Sequence, residues 1–191
     1  MNPKYKESEL VIILGLTPFI ALTDSAVNSL SIGILVIITL FFSSLVLRHI
    51  DRYIKEPEKS IVFFITTATI VTILGGFLSH KIPELYNELG IFIPLIAVNS
   101  YIFYSLRKID NESSGIKYGF ASIKRYSPAF SVLFIVGLLR EIFGKGMVLN
   151  KPFLNADPDK TLILFFDAPA ASFIITGIVI ALYGLMRKKN E

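Results

Sequence analysis

The chain has 191 residues, of which 53% are hydrophobic and only 18% charged, with a mean hydropathy of +0.63. A water-soluble domain carries about a quarter of its residues as charges, whereas here the charges sit in gaps between long apolar blocks, so lipid rather than one aqueous core is the matching solvent. The net charge of +4 comes from basic residues flanking those blocks, which points to membrane orientation and away from nucleic acid, and the absence of cysteine excludes disulfides, thiolate metal sites and cysteine nucleophiles.

Six apolar segments follow one another. Leu10 to Leu22 is broken by Gly15, Thr17 and Pro18 and falls short of the roughly 20 residues a plain helix needs to cross hydrocarbon. A tilted, broken or half-length element is expected there, and without a small-residue cleavage site it is expected to stay in the mature chain. Ala26 to Leu47 is a full span ending at Arg48-His49. Ile61 to Leu78 is the third, with Gly75-Gly76 near its end. Leu89 to Leu106 is the fourth, interrupted by Pro94 and by Asn99-Ser100. The fifth centres on Ala129 to Leu139, enters around Tyr118 and stops at Arg140-Glu141. Leu162 to Met186 is the sixth and contains Asp167 and Pro169. The loop from Lys145 to Lys160, with Pro152 and Pro158, reads as irregular. Asn111-Glu112-Ser113 matches a glycosylation sequon by chance, in a loop assigned to the cytoplasm.

The fold class that follows is all-α and polytopic, with about six transmembrane helices. With six spans, the side holding both termini carries 14 Lys and Arg residues against 5 on the other, which places both termini in the cytoplasm.

The first and fourth segments share a pattern. Leu14-Gly15-Leu16-Thr17-Pro18-Phe19-Ile20-Ala21-Leu22 and Leu89-Gly90-Ile91-Phe92-Ile93-Pro94-Leu95-Ile96-Ala97-Val98 both read Leu-Gly, then Pro, then an apolar residue and Ile-Ala. Each opens a group of three spans. Three is odd, so the second group (89–191) runs through the membrane opposite to the first (1–88), as an inverted repeat. Proline removes a donor and frees a carbonyl, so each break must be satisfied by protein, water or ligand. A single Pro reads as a kink between packed helices; matched breaks opening both halves point to a site near the midplane.

At these residues the chain resembles the RnfE/NqrD family, six-span subunits of the Rnf and Na⁺-translocating NADH:quinone oxidoreductase complexes. Leu14-Gly15-Leu16-Thr17-Pro18 is similar to the family's Leu-Gly-Leu-Cys-Pro. Leu89 to Ile96, continued as Val98-Asn99-Ser100, is similar to its second motif, which ends in Thr-Asn-Cys. Leu138-Leu139-Arg140-Glu141-Ile142-Phe143-Gly144-Lys145-Gly146 resembles the stretch closing the fifth helix, and Ala168-Pro169-Ala170-Ala171-Ser172-Phe173 the region opening the sixth. The Arg-Glu-Ile ending and cytoplasmic N-terminus favour RnfE/NqrD over the sister RnfA/NqrE, which has the reverse orientation. The resemblance implies a redox-driven pump for Na⁺ or H⁺ in a prokaryotic cytoplasmic membrane. It also implies pairing with the inverted sister and other Rnf/Nqr-type subunits, and a [2Fe–2S] cluster held by two cysteines from each of the pair. Here the cysteine positions are Thr17 and Ser100, with Pro18, Pro94 and Asn99 beside them. Three readings follow: the cluster is absent, it persists on other ligands, or the chain is a cysteine-free variant of an ordinary member. Lys124-Arg125 is a second departure, placing charge where the family has small apolar residues and shifting the start of the fifth helix.

Other polar residues are weighed singly. Arg140-Glu141 at the end of an apolar span reads first as interfacial snorkelling with a local ion pair, and second as a subunit contact or ion-path gate. Asp24 and Asp167 are intramembrane carboxylate candidates for an ion path, both close enough to an interface to be solvated. His49 and His80 are too far apart in sequence to suggest a paired metal site. A small inverted-repeat transporter or channel, and a structural subunit that has lost the redox role, stand as alternatives to the pump subunit.

Overall fold

A computed structural model describes residues 15–50, 53–54, 58–107, 115–149, 151–152 and 164–189, and these are helical almost throughout. In chain order they form α1 (15–20), α2 (Ala26–Ile50), α3 (Glu58–Lys81), α4 (Pro83–Leu89), α5 (Phe92–Leu95), α6 (Ser100–Arg107) and α7 (Gly115–Arg140). A π-helical turn (Glu141–Lys145) extends α7. The two-stranded hairpin β1 (Met147–Val148) and β2 (Lys151–Pro152) follows, then α8 (Leu164–Asp167) and α9 (Pro169–Lys189).

Three helices are long and apolar enough to cross a membrane: α2, α3 and the continuous Gly115–Lys145. A bent pair, Pro83–Leu89 with Phe92–Tyr104, turning through 64°, is apolar enough to make a fourth, as a broken span or a re-entrant loop. The polytopic all-helical fold is therefore present, but among the described residues at most these four of the six expected spans qualify. The fourth starts at Pro83, earlier than expected, because Pro at the first helical position lacks only a donor that would have no partner anyway. The sixth breaks at Ala168, ahead of Pro169, and its apolar run Ala170–Leu182 is shorter than a full crossing. Residues 1–14 and the sequon at 111–113 lie outside the described residues. The fifth helix begins at Gly115 and runs through Lys124 and Arg125 without interruption. The 145–160 loop, expected to be irregular, opens with the hairpin, which follows Gly146 in the left-handed region (φ 66°) that ends the π turn.

The faces of α3 show how such helices suit lipid. It buries Phe63, Thr67, Val71, Gly75 and Leu78 on one stripe and exposes Ile61, Phe64, Ile65, Ile73 and Phe77 on the others. A helix apolar all round has its second face in hydrocarbon. Its hydroxyls are returned to the helix itself: Thr67, Thr69 and Thr72 each donate to a carbonyl one turn back, as Thr39 does in α2.

Packing divides the chain into two units. The first joins the chain up to Pro18 with Ile34–Ser127; the second joins Phe19–Gly33 with the chain from Pro128 onward. In the first, Gly119 of α7 lies against the ring of Phe41, Phe63 meets Phe103 at 4.3 Å between centroids, and Tyr101 meets Tyr126 at 5.6 Å. In the second, α2 offers the small-residue ladder Ser25, Ser29 and Gly33 to α7. Gly33 sits on the ring of Phe130, and Gly137 sits on Ser29 and the carbonyl of Ser25. Small residues one turn apart let helix backbones approach where no hydrophobic effect drives them together.

A Cβ on Gly137 would stand 2.1 Å from Ser29 Oγ, whereas one on Gly76 has nothing within 4 Å. Gly137→Ala is expected to destabilise the detergent-solubilised protein by about 1–3 kcal/mol through overpacking. Gly76→Ala is expected to be neutral or stabilising by up to about 1 kcal/mol. Thermal unfolding followed by circular dichroism separates them; equal behaviour would refute the close α2–α7 approach.

Candidate functional site

Both proline-marked segments break after the proline, and the second also bends ahead of it, at Gly90–Ile91, where Gly90 takes a positive φ of 41°. Pro18 lies within α1 and the chain leaves the helix at residues 21–25; Pro94 lies within α5 and the chain leaves it at residues 96–99. Pro94 offers no N–H to the carbonyl of Gly90, which takes the N–H of Ile93 instead at 3.4 Å.

The second break is closed by Asn99. This residue is 4% exposed and acts as the N-cap of α6: its Oδ1 accepts the N–H of Tyr101 at 2.9 Å. Its Nδ2 donates to the carbonyl of Gly15 in α1 at 2.7 Å, 84 residues away in sequence. Gly15 presses on Tyr101 so closely that a Cβ there would lie 2.2 Å from Tyr101 Cβ. The phenol of Tyr101 in turn donates to the carbonyl of Arg125 in α7. Near the turn, Thr67 Oγ1 of α3 approaches the carbonyl of Ala97 at 3.4 Å.

This packing places the two singled-out hydroxyl residues on touching segments. Thr17 is two residues beyond Gly15, Ser100 lies between Asn99 and Tyr101, and both are exposed, as are Ile91, Pro94 and Val98. Pro18 is half-buried beside Thr17. Asn99 has both ends of its amide committed to protein.

The first break is closed from the far end of the chain. Ser25 caps α2, its Oγ accepting the N–H of Val27 at 3.1 Å, and its carbonyl takes both the N–H and the hydroxyl of Ser29. The N–H of Ala26 is taken by Glu141 Oε2 at 2.8 Å, 115 residues away in sequence. A carboxylate at that position satisfies an orphan donor and lies at the positive end of the helix dipole. Arg140 spreads its guanidinium between two backbone turns. Its Nε donates to the carbonyl of Phe166 at 2.9 Å, and its Nη1 approaches Thr23 Oγ1 at 3.4 Å, while that hydroxyl donates to the carbonyl of Ile20 at 2.6 Å.

The snorkelling pair expected at Arg140-Glu141 is thereby corrected: the two residues are 3% and 0% exposed. The reason is the break itself, whose freed donors and carbonyls make a better-paired environment for two charges than the end of an ordinary helix would. Asp24 remains half exposed with Lys145 Nζ at 4.0 Å, as expected for a solvated carboxylate. Asp167 ends α8.

Ser25 is a residue that sequence reasoning missed, although Thr23-Asp24-Ser25 before an apolar run is an N-cap signal. The ends of two long helices are alike in sequence: Leu47-Arg48-His49-Ile50 closes α2 as Leu139-Arg140-Glu141-Ile142 closes α7. Arg48 is half-buried and His49 exposed, so only the second of these ends supplies a buried cap. Among the described residues no group of three or more His, Cys, Asp or Glu side chains is placed to hold a metal ion.

Comparison with known proteins matches residues 5–180 to the family model described as "Rnf-Nqr subunit, membrane protein". The E-type subunit of the Na(+)-translocating ferredoxin:NAD(+) oxidoreductase complex of Acetobacterium woodii is 31% identical over 180 residues, covering 94% of this chain and 90% of that protein. Its counterpart in the proton-translocating ferredoxin:NAD(+) oxidoreductase complex of Clostridium ljungdahlii is 27% identical, covering 95% and 84%. The E-type subunit of the ion-translocating oxidoreductase complex of Buchnera aphidicola (strain 5A) is 29% identical, covering 96% and 87%.

Glu141→Ala is expected to cost about 1–3 kcal/mol by leaving the Ala26 N–H buried without an acceptor, and Glu141→Gln, which keeps an acceptor oxygen, to cost less; thermal unfolding in detergent measures both. In a chain otherwise free of cysteine, Thr17→Cys with Ser100→Cys is expected to be bridged within one chain by a short bis-maleimide, read by peptide mass spectrometry. Reaction at both thiols without a bridge would refute the adjacency.

Proposed function

Because the chain belongs to the Rnf-Nqr family of membrane subunits, we propose that it serves as the E-type subunit of an ion-translocating oxidoreductase complex. The observation that carries this reading is the match itself, which spans residues 5–180 and extends over 84–90% of three relatives that all bear the E-type name. One of these relatives is named for Na⁺ and another for protons, so the cation proposed for this complex is Na⁺ or H⁺. Acting within such a complex, the chain contributes a helical path through the membrane rather than a reaction of its own.

In this reading it lies in the cytoplasmic membrane with both termini inside, as the surplus of Lys and Arg on that side supports. It pairs with an RnfA/NqrE-like sister, and the exposed residues of the broken segments, Thr17, Ile91, Pro94, Val98 and Ser100, form its contact face. These positions combine small, hydroxyl and apolar side chains of the kind that line helix–helix contacts in membranes.

An affinity tag on the chain, with mild detergent extraction from its native membrane, is expected to recover flavin- and ferredoxin-like redox subunits in fixed ratio. Deleting the gene is expected to abolish cation uptake driven by electron transfer in inverted vesicles. Recovery of the chain alone, with uptake unchanged in the deletion strain, would refute the assignment.

A further inference from the structure

The segments that carry Thr17 and Ser100 touch at the seam between α1 and the start of α6, but neither residue is a donor suited to an iron–sulfur cluster. Thr17 and Ser100 sit exposed on segments that touch through Gly15 and Tyr101, at the positions where the resemblance implies a cysteine from each broken helix. Iron–sulfur clusters are held by thiolates, soft anionic donors. A serine or threonine hydroxyl is a harder donor and far less acidic than a thiol, so two of them are poor substitutes for two thiolates on the irons. Among the described residues no other cluster of side chains makes up the set. There is no cysteine anywhere, and the two histidines, His49 and His80, end different helices and are exposed. Asp24 is near Lys145, and Glu141 is bonded to the Ala26 amide.

Asn99 caps α6 and ties it to Gly15 through one amide, so the Tyr101 N–H and the Gly15 carbonyl have protein partners at this seam. The two replacements are matched in kind, since both keep a small side chain and lose the sulfur. Resting on the subunit assignment above, we infer that this chain supplies no ligand to an iron–sulfur cluster, and that its Thr17–Ser100 seam is a cluster-free contact surface. Electron transfer in the complex then proceeds without a centre ligated by this chain.

The test compares the tag-purified complex with a complex carrying Thr17→Ala and Ser100→Ala. Iron, acid-labile sulfide and the electron paramagnetic resonance spectrum after dithionite reduction are expected to be the same in both. Loss of both irons and both sulfides of a [2Fe–2S] centre from the variant, with its signal, would overturn the inference. Should the variant fail to assemble, a cryo-electron microscopy map of the wild-type complex decides. Side-chain density alone at the seam upholds the inference, and cluster-sized density bonded to either hydroxyl overturns it. Absence of redox subunits from the purified material would instead defeat the subunit assignment, leaving the density at Thr17 and Ser100 to judge this inference by itself.

Discussion

A helix broken within hydrocarbon leaves up to four carbonyls without partners where it stops and up to four amides where it restarts, and lipid can supply none. This chain stops twice beside a proline, and much of its polar architecture answers that constraint. Ser25 and Glu141 take the first amides of α2, while Asn99 takes an amide of α6 and gives its own amide hydrogen to α1. The partners come from 84 and 115 residues away, so each break is stable only once distant parts of the chain are in place.

The burial of Arg140 and Glu141 follows from the same requirement. Charges are expensive in a low-dielectric interior unless every part of them is paired. Here the carboxylate meets a helix N-terminus, and the guanidinium meets the carbonyl of Phe166 and the hydroxyl of Thr23. A charged pair at the end of a span thus becomes part of the protein interior. Elsewhere the chain hides hydroxyls more simply, by turning them back to their own helix.

Closing the breaks from within the protein separates two properties that the family resemblance had joined. The broken-helix geometry stands on hydrogen bonds and glycine contacts, and none of it depends on a thiolate. A chain of this kind can therefore lose sulfur at Thr17 and Ser100 and keep the shape of the seam. In the proposed complex the surface offered to a partner is then set by exposed small and apolar side chains, while redox chemistry is left to other subunits.

Several features were legible in the residues themselves. Block hydrophobicity revealed the polytopic helical fold, because long apolar runs with charges only at their edges have one stable solvent. The repeated Leu-Gly and Pro pattern located both breaks, because proline acts on its own backbone whatever surrounds it. The span boundaries were not legible in the same way: the 64° bend falls at Gly90–Ile91, ahead of Pro94, and the sixth segment is interrupted at Ala168. What only the tertiary structure decided was where each polar side chain spends its hydrogen bonds. Arg140-Glu141 read as an interfacial pair because sequence shows which residues end a span, but not that the start of another helix lies against that end. Burial of a charge depends on partners more than a hundred positions away, and composition and spacing carry no measure of that distance.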